Sequence, residues 1–426
     1  LTQMTRTPDM MPPALPASPD SVTDAERLTR QSLRTAKGKN PGRSREHNRR
    51  VVLELLRRSG PMGRKELADH AHISTQAVTN IIDELMDEDL LCDMGRKRTV
   101  RGLPPIQYAI NPDGAITIGL EIAVGSLTAV VLDLGGNLRA SRVVALPDMT
   151  AAVVLDLICD TVTGLRATVQ AQLLGIGVVM PGPFEIEGLT GVGPTTLPDW
   201  SGVDVATELS QRCDVPVTVD NDANAAAVSE MLFGQGQNVS HFCMLYFGAG
   251  IGMGGIVADQ PLRGAFGNAG EIGHIVVAPG GLPCQCGQAG CLERYVSLHA
   301  LSEAMTRDGL IPDTATLLAC HAARDPVLTA WLDKAAPHLS AMIGLLENIF
   351  DPQTVILGGK MPKAILDDLI ARLTIPTSVA NRRDRTLPRV QRGKTGEESA
   401  AIGAAALPFF NAITPQLHQT DGQIAP

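Results

Sequence analysis

The spacing of apolar residues divides the chain into three regions. Residues 1–43 show no apolar repeat at a helical or strand period, and five prolines stand among the first nineteen residues. Because such a segment cannot bury an apolar face, we expect a disordered N-terminal tail over residues 1–43. Short helical periods dominate residues 44–110, whereas residues 115–410 alternate long apolar runs with helical stretches. That alternation is typical of an α/β fold.

The body of the chain, residues 115–410, contains apolar runs of strand length separated by helical periods. Two glycine-rich loops that follow strands, Gly135-Gly136 and Gly248–Gly255, are compatible with two lobes. The expected strands are Ile116–Ile122, Leu127–Leu134, Leu174–Met180, Val215–Val219, Phe242–Phe247 and Thr354–Leu357. The expected helices are Val153–Leu173, Asp204–Arg212, Ala223–Phe233 and Leu328–Ile349.

The apolar pattern of residues 44–110 predicts three short helices and then a basic β-hairpin. This order is that of a winged helix-turn-helix domain, in which the hairpin forms the wing. The helices are expected around Val51–Leu56, over Lys65–His70 and after an N-cap at Ser74 or Thr75, and the hairpin over Met94–Tyr108.

Candidate DNA contacts lie at the start of the third helix and on the hairpin. Short polar side chains at a helix N-terminus suit base edges and phosphates in a major groove. Basic residues on a wing suit the DNA backbone or the minor groove. We expect DNA-binding residues at Ser74, Thr75, Gln76, Thr79, Asn80, Arg96, Lys97 and Arg98. The alternative is a helical adaptor whose basic residues form a solvated face.

The formal net charge of −9 hides an asymmetry between the two ends of the chain. Residues 1–110 carry 18 Lys and Arg against 14 Asp and Glu, whereas the remainder carries 18 against 31. A polyanion such as double-stranded DNA is therefore expected to meet the N-terminal region. Aromatic residues make up only 3% of the chain, which argues against a binder that stacks single-stranded bases on aromatic rings. Without an apolar run of about 18 residues or a secretory signal pattern, we expect a cytoplasmic protein.

Three thiols and one imidazole stand close together in the sequence, at His274, Cys284, Cys286 and Cys291. Glycines between them let the loop fold back, and a Cys3His set is one that zinc takes in closed structural sites. The spacing therefore predicts a structural zinc site. The alternative is a group of free or redox-active thiols beside an unrelated histidine. The other five cysteines stand mostly among apolar neighbours and are expected in the core.

The segment Gly264–His274, together with Cys284–Glu293, resembles the signature of the ROK family of sugar-dependent repressors and sugar kinases. Arg101–Pro105 is similar to the wing of the regulators in that family. The resemblance runs from Arg45 to about Leu407. It implies an actin/hexokinase-like body of two α/β lobes with a sugar cleft between them, preceded by the winged-helix domain.

The domain organisation that follows has five parts. The tail ends at residue 43, and the winged helix-turn-helix domain takes residues 44–110. A small lobe at 115–235 and a large lobe with the zinc loop at 236–395 form the body. A C-terminal helix at 396–410 returns to the small lobe. The zinc ligands that the resemblance implies are His274, Cys284, Cys286 and Cys291.

The sugar site is also implied by the resemblance. Val219–Ala225 is similar to the family segment with the catalytic aspartate, which falls on Asp222 beside Asn221. Carboxylates suit this task, since each accepts hydrogen bonds from sugar hydroxyls. The alternatives are a helix N-cap for Asp222 and a first-turn charge for Glu293. The expected sugar-binding residues are Asn221, Asp222, Glu271, His274, Glu293 and Thr196, the last at a position where the family often has Asn.

The nucleotide elements of a family kinase are only partly matched. Gly248–Gly255 resembles the second phosphate loop and Val355–Gly359 the adenosine element, but glycine runs of this kind are weak signals. The first loop departs from the family's Asp-x-Gly-Gly-Thr, since it reads Glu121-Ile122-Ala123-Val124-Gly125. A β-branched Val124 cannot adopt the backbone conformations that glycine allows. We therefore expect no catalytic residue, and Asp222 would be the general base only in a kinase.

These observations favour a sugar-responsive transcriptional repressor over two alternatives. The first alternative is an ATP-dependent sugar kinase with an accessory DNA-binding head, and the second is a zinc-dependent adaptor without a ligand. The expected partners are double-stranded operator DNA, a sugar or sugar phosphate, and further copies of the chain in a homodimer or homotetramer.

Overall fold

The structure is a computed structural model that describes residues 41–96, 105–183, 197, 199–200, 202–305, 312–377 and 384–413. The chain forms two compact units, residues 1–48 and 49–426, and of the first only the beginning of a helix is described. That helix begins at Pro41, so residues 41–43 are helical, whereas disorder was expected. Proline is favourable there because its fixed φ suits the first helical turn. The rest of the expected tail, residues 1–40, lies outside the described residues.

Twelve helices and twelve strands are present in the described parts of the chain. The helices are α1 (Pro41–Ser59), α2 (Arg64–Ala71), α3 (Thr75–Asp87), α4 (Ala151–Arg166), α5 (Val205–Cys213), α6 (Asp222–Phe233), α7 (Glu293–Val296), α8 (Leu298–Met305), α9 (Thr314–Ala322), α10 (Pro326–Phe350), α11 (Lys363–Ala371) and α12 (Ser399–Ile413). The strands are β1 (Leu91–Arg96), β2 (Ile106–Ile110), β3 (Ala115–Ala123), β4 (Ser126–Asp133), β5 (Leu138–Ala145), β6 (Gln172–Met180), β7 (Val217–Asn221), β8 (His241–Phe247), β9 (Ile251–Val257), β10 (Gln260–Leu262), β11 (Thr354–Gly359) and β12 (Val390–Arg392).

The N-terminal head consists of α1–α3 and the antiparallel pair β1–β2. Its core is formed by buried Leu56, Leu67, Ile82 and Leu85, which lie at helical spacing within their elements. The Ser74 hydroxyl accepts a hydrogen bond from the Ala77 amide at 3.2 Å, so Ser74 is the N-cap of α3. The predicted helix-turn-helix and hairpin are therefore confirmed.

The body contains two five-stranded mixed sheets with the same strand order and senses. The first has the order β5-β4-β3-β6-β7 and the second β10-β9-β8-β11-β12. In each sheet the first three strands of the chain are antiparallel neighbours, and the last two add in parallel. The body thus contains the same α/β sheet topology twice, which confirms the predicted two-lobed fold.

Two equivalent helices lie between the sheets. α6 follows the last strand of the first sheet and packs on β9, whereas α12 follows the last strand of the second sheet and packs on β3 and β6. Glycines permit this close approach, because a Cβ at Gly254 would lie 2.2 Å from the Ala223 carbonyl oxygen. A Cβ at Gly177 would lie 1.8 Å from that of Ala404. Any side chain at either position would push a helix away from its sheet.

Several elements differ from the sequence prediction. The expected glycine loop Gly248–Gly255 is a short turn followed by β9, which starts at Ile251 and whose Gly252 and Gly254 face α6. The expected helix Val153–Leu173 ends at Arg166, since β6 begins at Gln172. Strand β5 was missed because it is an edge strand with mostly exposed side chains and lacks an apolar run.

The apolar core of the head continues into the body. Leu134 at the end of β4 and Phe409 of α12 are buried in the same cluster as Val52 and Leu91 of the head. Arg58 of α1 also lies 3.9 Å from the Asp259 carboxylate in the turn between β9 and β10. None of the described helices is long and apolar enough to span a membrane.

Candidate functional site

A polar cleft opens between the two sheets at the start of α6. The segment Pro181-Gly182 after β6 and the turn Gly248–Gly250 after β8 form its walls. Five of the six residues predicted to bind sugar line this cleft, namely Asn221, Asp222, Glu271, His274 and Glu293. The sixth, Thr196, lies outside the described residues.

Asn221 rather than Asp222 caps helix α6. The Asn221 side-chain oxygen accepts hydrogen bonds from the amides of Ala223 at 2.8 Å and Asn224 at 3.3 Å. One Asp222 carboxylate oxygen accepts from the Ala223 amide at 2.7 Å, while a Cβ at Gly248 would lie 3.7 Å from the other. The cap is thus supplied by a neighbour, and the second oxygen of Asp222 faces the glycine turn of the cleft. The alternative interpretation of Asp222 as an N-cap is wrong.

Two further polar groups meet at the backbone of Gly182. A Cβ at this position would lie 2.8 Å from the Asn221 amide nitrogen and 2.8 Å from a Glu271 carboxylate oxygen. Only glycine leaves room for both side chains here. The structure therefore brings Asn221 and Glu271 together, although 50 positions separate them in the chain.

Two carboxyl groups of the cleft, those of Asp222 and Glu271, hold protons unusually well. Burial and, to a smaller extent, the nearby charge of Glu121 raise the pKa of Asp222 to about 8. Burial also raises the pKa of Glu271, with a smaller contribution from Glu293. Near neutral pH the Asp222 carboxyl can therefore donate a hydrogen bond as well as accept one.

A buried polar group that the sequence did not predict lies beside Asp222. The Tyr246 hydroxyl donates to one Glu121 carboxylate oxygen at 2.7 Å, and the Lys360 ammonium donates to the other at 2.6 Å. Lys360 also lies 3.4 Å from the Thr128 hydroxyl. Glu121 and Thr128 belong to the first sheet, whereas Tyr246 and Lys360 belong to or directly follow strands of the second. The group therefore joins the two sheets.

A second unpredicted group supports the floor of the cleft. The Arg263 guanidinium donates to one oxygen of buried Asp220 at 2.8 and 3.0 Å. The other Asp220 oxygen accepts from the Asn221 amide at 2.8 Å and the Asn224 side chain at 3.1 Å. Asp220 thereby fixes the turn from β7 into α6, where the sugar-binding residues begin. Its position next to Asn221 in the sequence was the only local signal.

The predicted metal ligands form a compact cluster. The ligand atoms of His274, Cys284, Cys286 and Cys291 all lie within 4.8 Å of one another. The Cys286 and Cys291 sulfurs are 3.6 Å apart, and Cys284 Sγ lies 3.7 Å from His274 Nδ1. Tetrahedral zinc with thiolate and imidazole ligands requires separations of about 3.5–3.8 Å between ligand atoms. The donor set and its spacing therefore fit zinc.

The cluster shares a wall with the cleft. Glu293 Oε1 accepts from the Cys284 thiol at 3.4 Å and lies 3.7 Å from His274 Nδ1. Burial raises the pKa of the Cys284 thiol to about 12. A cation bound at this cluster would hold the sulfur as a thiolate, so metal binding would release protons.

The candidate DNA-binding residues of α3 lie on one polar face. Thr75, Gln76 and Asn80 are exposed, and the Gln76 amide donates to the Asn80 side-chain oxygen at 3.0 Å. The Thr79 hydroxyl is satisfied locally by the Thr75 carbonyl at 2.9 Å. The two amides thus hold each other in a defined orientation at the N-terminal end of the helix.

The hairpin places one of its predicted basic residues at the end of β1. Arg96 is exposed and lies opposite Ile106 of β2. Lys97 and Arg98 lie outside the described residues. Behind the hairpin the Arg64 guanidinium stacks over the Tyr108 ring at 4.8 Å and pairs with Asp83 at 2.9 Å, which ties α2 to both α3 and the hairpin.

Known proteins resemble both the N-terminal head and the α/β body of the chain. The xylose repressor of Bacillus subtilis (strain 168) is 26% identical over 315 residues, which cover 73% of this chain and 81% of that protein. The glucokinase of Streptomyces coelicolor is 31% identical over 313 residues, 68% of this chain and 97% of the enzyme.

Among solved structures, the crystal structure of a ROK family transcriptional regulator, a homologue of the E. coli MLC protein, has a TM-score of 0.67. It is 22% identical and covers 87% of this chain and 98% of that chain, so its likeness shows the fold. Residues 46–91 match the MarR family, and residues 117–409 match the ROK family. The chain therefore belongs to the ROK family, with a MarR-type winged-helix region before its α/β body.

Proposed function

We propose that this protein is a transcriptional repressor that binds operator DNA through its winged helix and releases it when a sugar enters the cleft. The observation that carries this proposal is the presence of a polar, carboxylate-lined cleft and an exposed helix-turn-helix face in one chain. The name of the xylose repressor relative and the regulator title of the structural neighbour support it. A ligand that favours one arrangement of the body shifts the population of the DNA-binding form.

The effector is an uncharged sugar rather than a sugar phosphate. Among the described residues that line the cleft, three carry carboxylates and none is Lys or Arg. A phosphate would find no cationic partner among these described residues, and leaving it unpaired in a partly desolvated site is unfavourable.

The main alternative is a sugar kinase with an accessory DNA-binding head. The 31% identity to a glucokinase favours this alternative. Against it, the first phosphate loop has Val124 and Gly125 in place of the Gly-Thr of the family kinases, and Glu121 is paired with Lys360. We therefore assign no catalytic residue, and Asp222 would become the general base only if phosphoryl transfer were detected.

Zinc at His274, Cys284, Cys286 and Cys291 would have a structural role. The four ligands would leave no open coordination position, as in closed structural sites. With His274 held at Nδ1, its Nε2 would be left for a sugar hydroxyl, and the metal would fix the ring orientation. The cluster would therefore support the wall of the cleft that contains Glu293.

The remaining assignments complete the proposed organisation. The head at residues 44–110 would contact DNA through Ser74, Thr75, Gln76, Thr79, Asn80, Arg96, Lys97 and Arg98. The lobes would be residues 115–235 and 236–395, with residues 396–410 returning to the first. We propose a cytoplasmic homodimer or homotetramer, since two heads related by symmetry would read a palindromic operator.

The test of this function combines a binding panel with a DNA-release assay. Thermal shift with neutral sugars, including d-xylose and d-glucose, and with their phosphates should show stabilisation by a neutral sugar only. That sugar should then lower the affinity for DNA selected from random sequence by the protein itself. Turnover of ATP with any sugar at about 1 per second or faster would establish the kinase alternative instead.

A further inference from the structure

Lys360, which directly follows β11, makes an ionic contact between the two sheets. Its ammonium lies 2.6 Å from the Glu121 carboxylate on β3. Gly359 has a φ of 108° and a Cβ there would lie 2.6 Å from the Phe247 carbonyl oxygen. The Lys360 amide donates to that same carbonyl at 2.7 Å. The backbone around Lys360 is thus fixed onto β8, and its side chain extends from the second sheet to Glu121 on the first.

Both oxygens of Glu121 are used by groups of the second sheet. Lys360 takes one at 2.6 Å and Tyr246 takes the other at 2.7 Å, while only 2% of the Glu121 side chain is exposed. A buried carboxylate that loses its counter-cation retains the desolvation penalty without compensation. The Lys360–Glu121 ion pair therefore resists separation of the two sheets at this point.

The position of the pair relates it to the sugar site. Tyr246 lines the cleft together with Asp222, and a Cβ at Gly248 would lie 3.1 Å from the Tyr246 ring and 3.7 Å from Asp222 Oδ2. Tyr246 is itself buried, so its hydroxyl can reach Glu121 only in one orientation. The contacts run from Lys360 through Glu121 and Tyr246 to the cleft.

The pair also joins two segments that the sequence relates to nucleotide binding. Glu121 begins the altered first phosphate loop, and Lys360 directly follows the Val355–Gly359 segment that resembles the adenosine element. Their side chains here contact each other, so a charge pair within the protein connects the two segments. The bridge between the sheets then needs no nucleotide.

We propose that Lys360 is a positioning residue, a built-in counter-cation that bridges the two sheets through Glu121 and holds Tyr246 at the sugar cleft without a nucleotide. This inference rests on the proposed function, because it assumes a sugar as the ligand of the cleft. It predicts that removing one charge of the pair harms sugar binding more than removing both. Glu121 contacts Tyr246 and Lys360 and lies opposite Thr128 of β4, and its charge also acts on the carboxyl of Asp222.

The experiment compares four variants of the full chain, Lys360→Met, Glu121→Gln, the double variant, and Lys363→Met as the matched control. Lys363 is exposed on α11 and lies outside the cleft lining. Calorimetry with d-xylose and d-glucose should show at least about tenfold weaker binding in Lys360→Met and recovery to within about threefold in the double variant. Lys363→Met should bind as the unmodified protein does.

A further measurement separates positioning from general destabilisation. Amide hydrogen exchange without sugar should accelerate at residues 119–125 and 356–360 in Lys360→Met, and not in Lys363→Met or the double variant. If Lys360→Met does not fold, the double variant decides, since it should fold and bind sugar.

The outcomes distinguish this proposal from the proposed function. If neither sugar binds the unmodified protein but exchange accelerates as described, the bridge stands and the sugar-binding function fails for these probes. If Lys360→Met matches Lys363→Met in both affinity and exchange, the bridge is overturned while the repressor function remains. A double variant as impaired as Lys360→Met would also overturn it, because loss of the pair itself would then be the cause.

Discussion

Asp222 combines a partly buried position with a proposed role as an acceptor of sugar hydroxyls. Burial and the nearby Glu121 raise its pKa to about 8, so the free protein keeps a proton on this carboxyl near neutral pH. An unfolded aspartate loses its proton near pH 4. Between these values the folded form binds more protons than the unfolded form, so the free energy of unfolding falls as pH rises from about 4 to 8. The binding site is therefore kept at some cost in stability.

Asp222→Asn should stabilise the free protein and weaken sugar binding. The amide keeps the size of the side chain but cannot become charged, so near pH 8 the melting temperature should rise by about 2–4 °C for each kcal/mol gained. Loss of one charge-assisted hydrogen bond should weaken sugar affinity roughly 10- to 150-fold. Unmodified protein should bind sugar more tightly as pH rises through about 8, and the variant should lack this trend. Differential scanning calorimetry and titration calorimetry measure the two effects.

The sugar affinities of the unmodified protein and of Asp222→Asn can also contradict this prediction. Equal sugar affinity in both proteins at pH 9 would mean that Asp222 is not the acceptor of a sugar hydroxyl. DNA affinity without sugar serves as the control, since Asp222 lies in the cleft and not on the exposed face of α3. It should be unchanged.

The thiols of the metal cluster should differ from the other cysteines in their effect on metal content. Cys291→Ser removes a proposed ligand that lies 3.6 Å from Cys286 Sγ, so it should lower the bound zinc from about one per chain. Cys320→Ser is the matched control, because Cys320 is partly buried but lies outside the cluster. Elemental analysis of protein prepared without chelator measures the difference. Absence of metal from the unmodified protein would refute the site.

At the scale of elements, the sequence was most informative where the residues of a candidate site stand close together in the chain. The Cys3His spacing and the Asn221-Asp222 pair could be recognised because their members are close in the chain. The Glu121–Lys360 pair could not, since 239 positions separate two residues that look ordinary alone. The glycines of β9 were interpreted as a loop because the sequence does not reveal that α6 lies against them. Local chemistry was thus predictable, whereas contacts between the sheets required the fold.

Helix α3 and the hairpin should contribute differently to DNA binding. Gln76→Ala or Asn80→Ala removes an exposed amide that can pair with base edges, so binding to the selected operator should weaken by about 1–3 kcal/mol and lose sequence preference. Arg96→Ala should weaken binding to operator and random DNA alike and reduce the salt dependence. Fluorescence anisotropy at several salt concentrations measures both. The same loss on both DNAs for all three variants would show that α3 is not the recognition helix.

At the scale of the whole molecule, the cleft and the head are connected by packed elements. α6 begins at Asp222 in the cleft, and its last turn contains Met231, which lies near Arg57 and Arg58 of the head. Twelve residues of helix span about 18 Å, so a shift at the start of α6 is transmitted to its end through a rigid element. α12 packs along α6 and contributes Phe409 to the head core. A sugar that repositions either helix therefore acts on the surface that supports the DNA-binding head.

If the two sites are coupled through one equilibrium, as we propose, the effect must be reciprocal. If the sugar lowers operator affinity by a given factor, saturating operator must lower sugar affinity by the same factor, which for allosteric proteins is typically about 5- to 150-fold. Titration calorimetry of sugar into the free protein and into its operator complex gives one factor, and anisotropy with and without sugar gives the other. A double-stranded DNA of the same length and random sequence, at a concentration where it stays unbound, is the control and should leave sugar affinity unchanged. Sugar binding of equal strength in both states, together with sugar-induced release of operator, would mean that the measured sugar binding is not the event that releases DNA. Equal factors would show that the measured sugar binding and operator binding are coupled through one equilibrium.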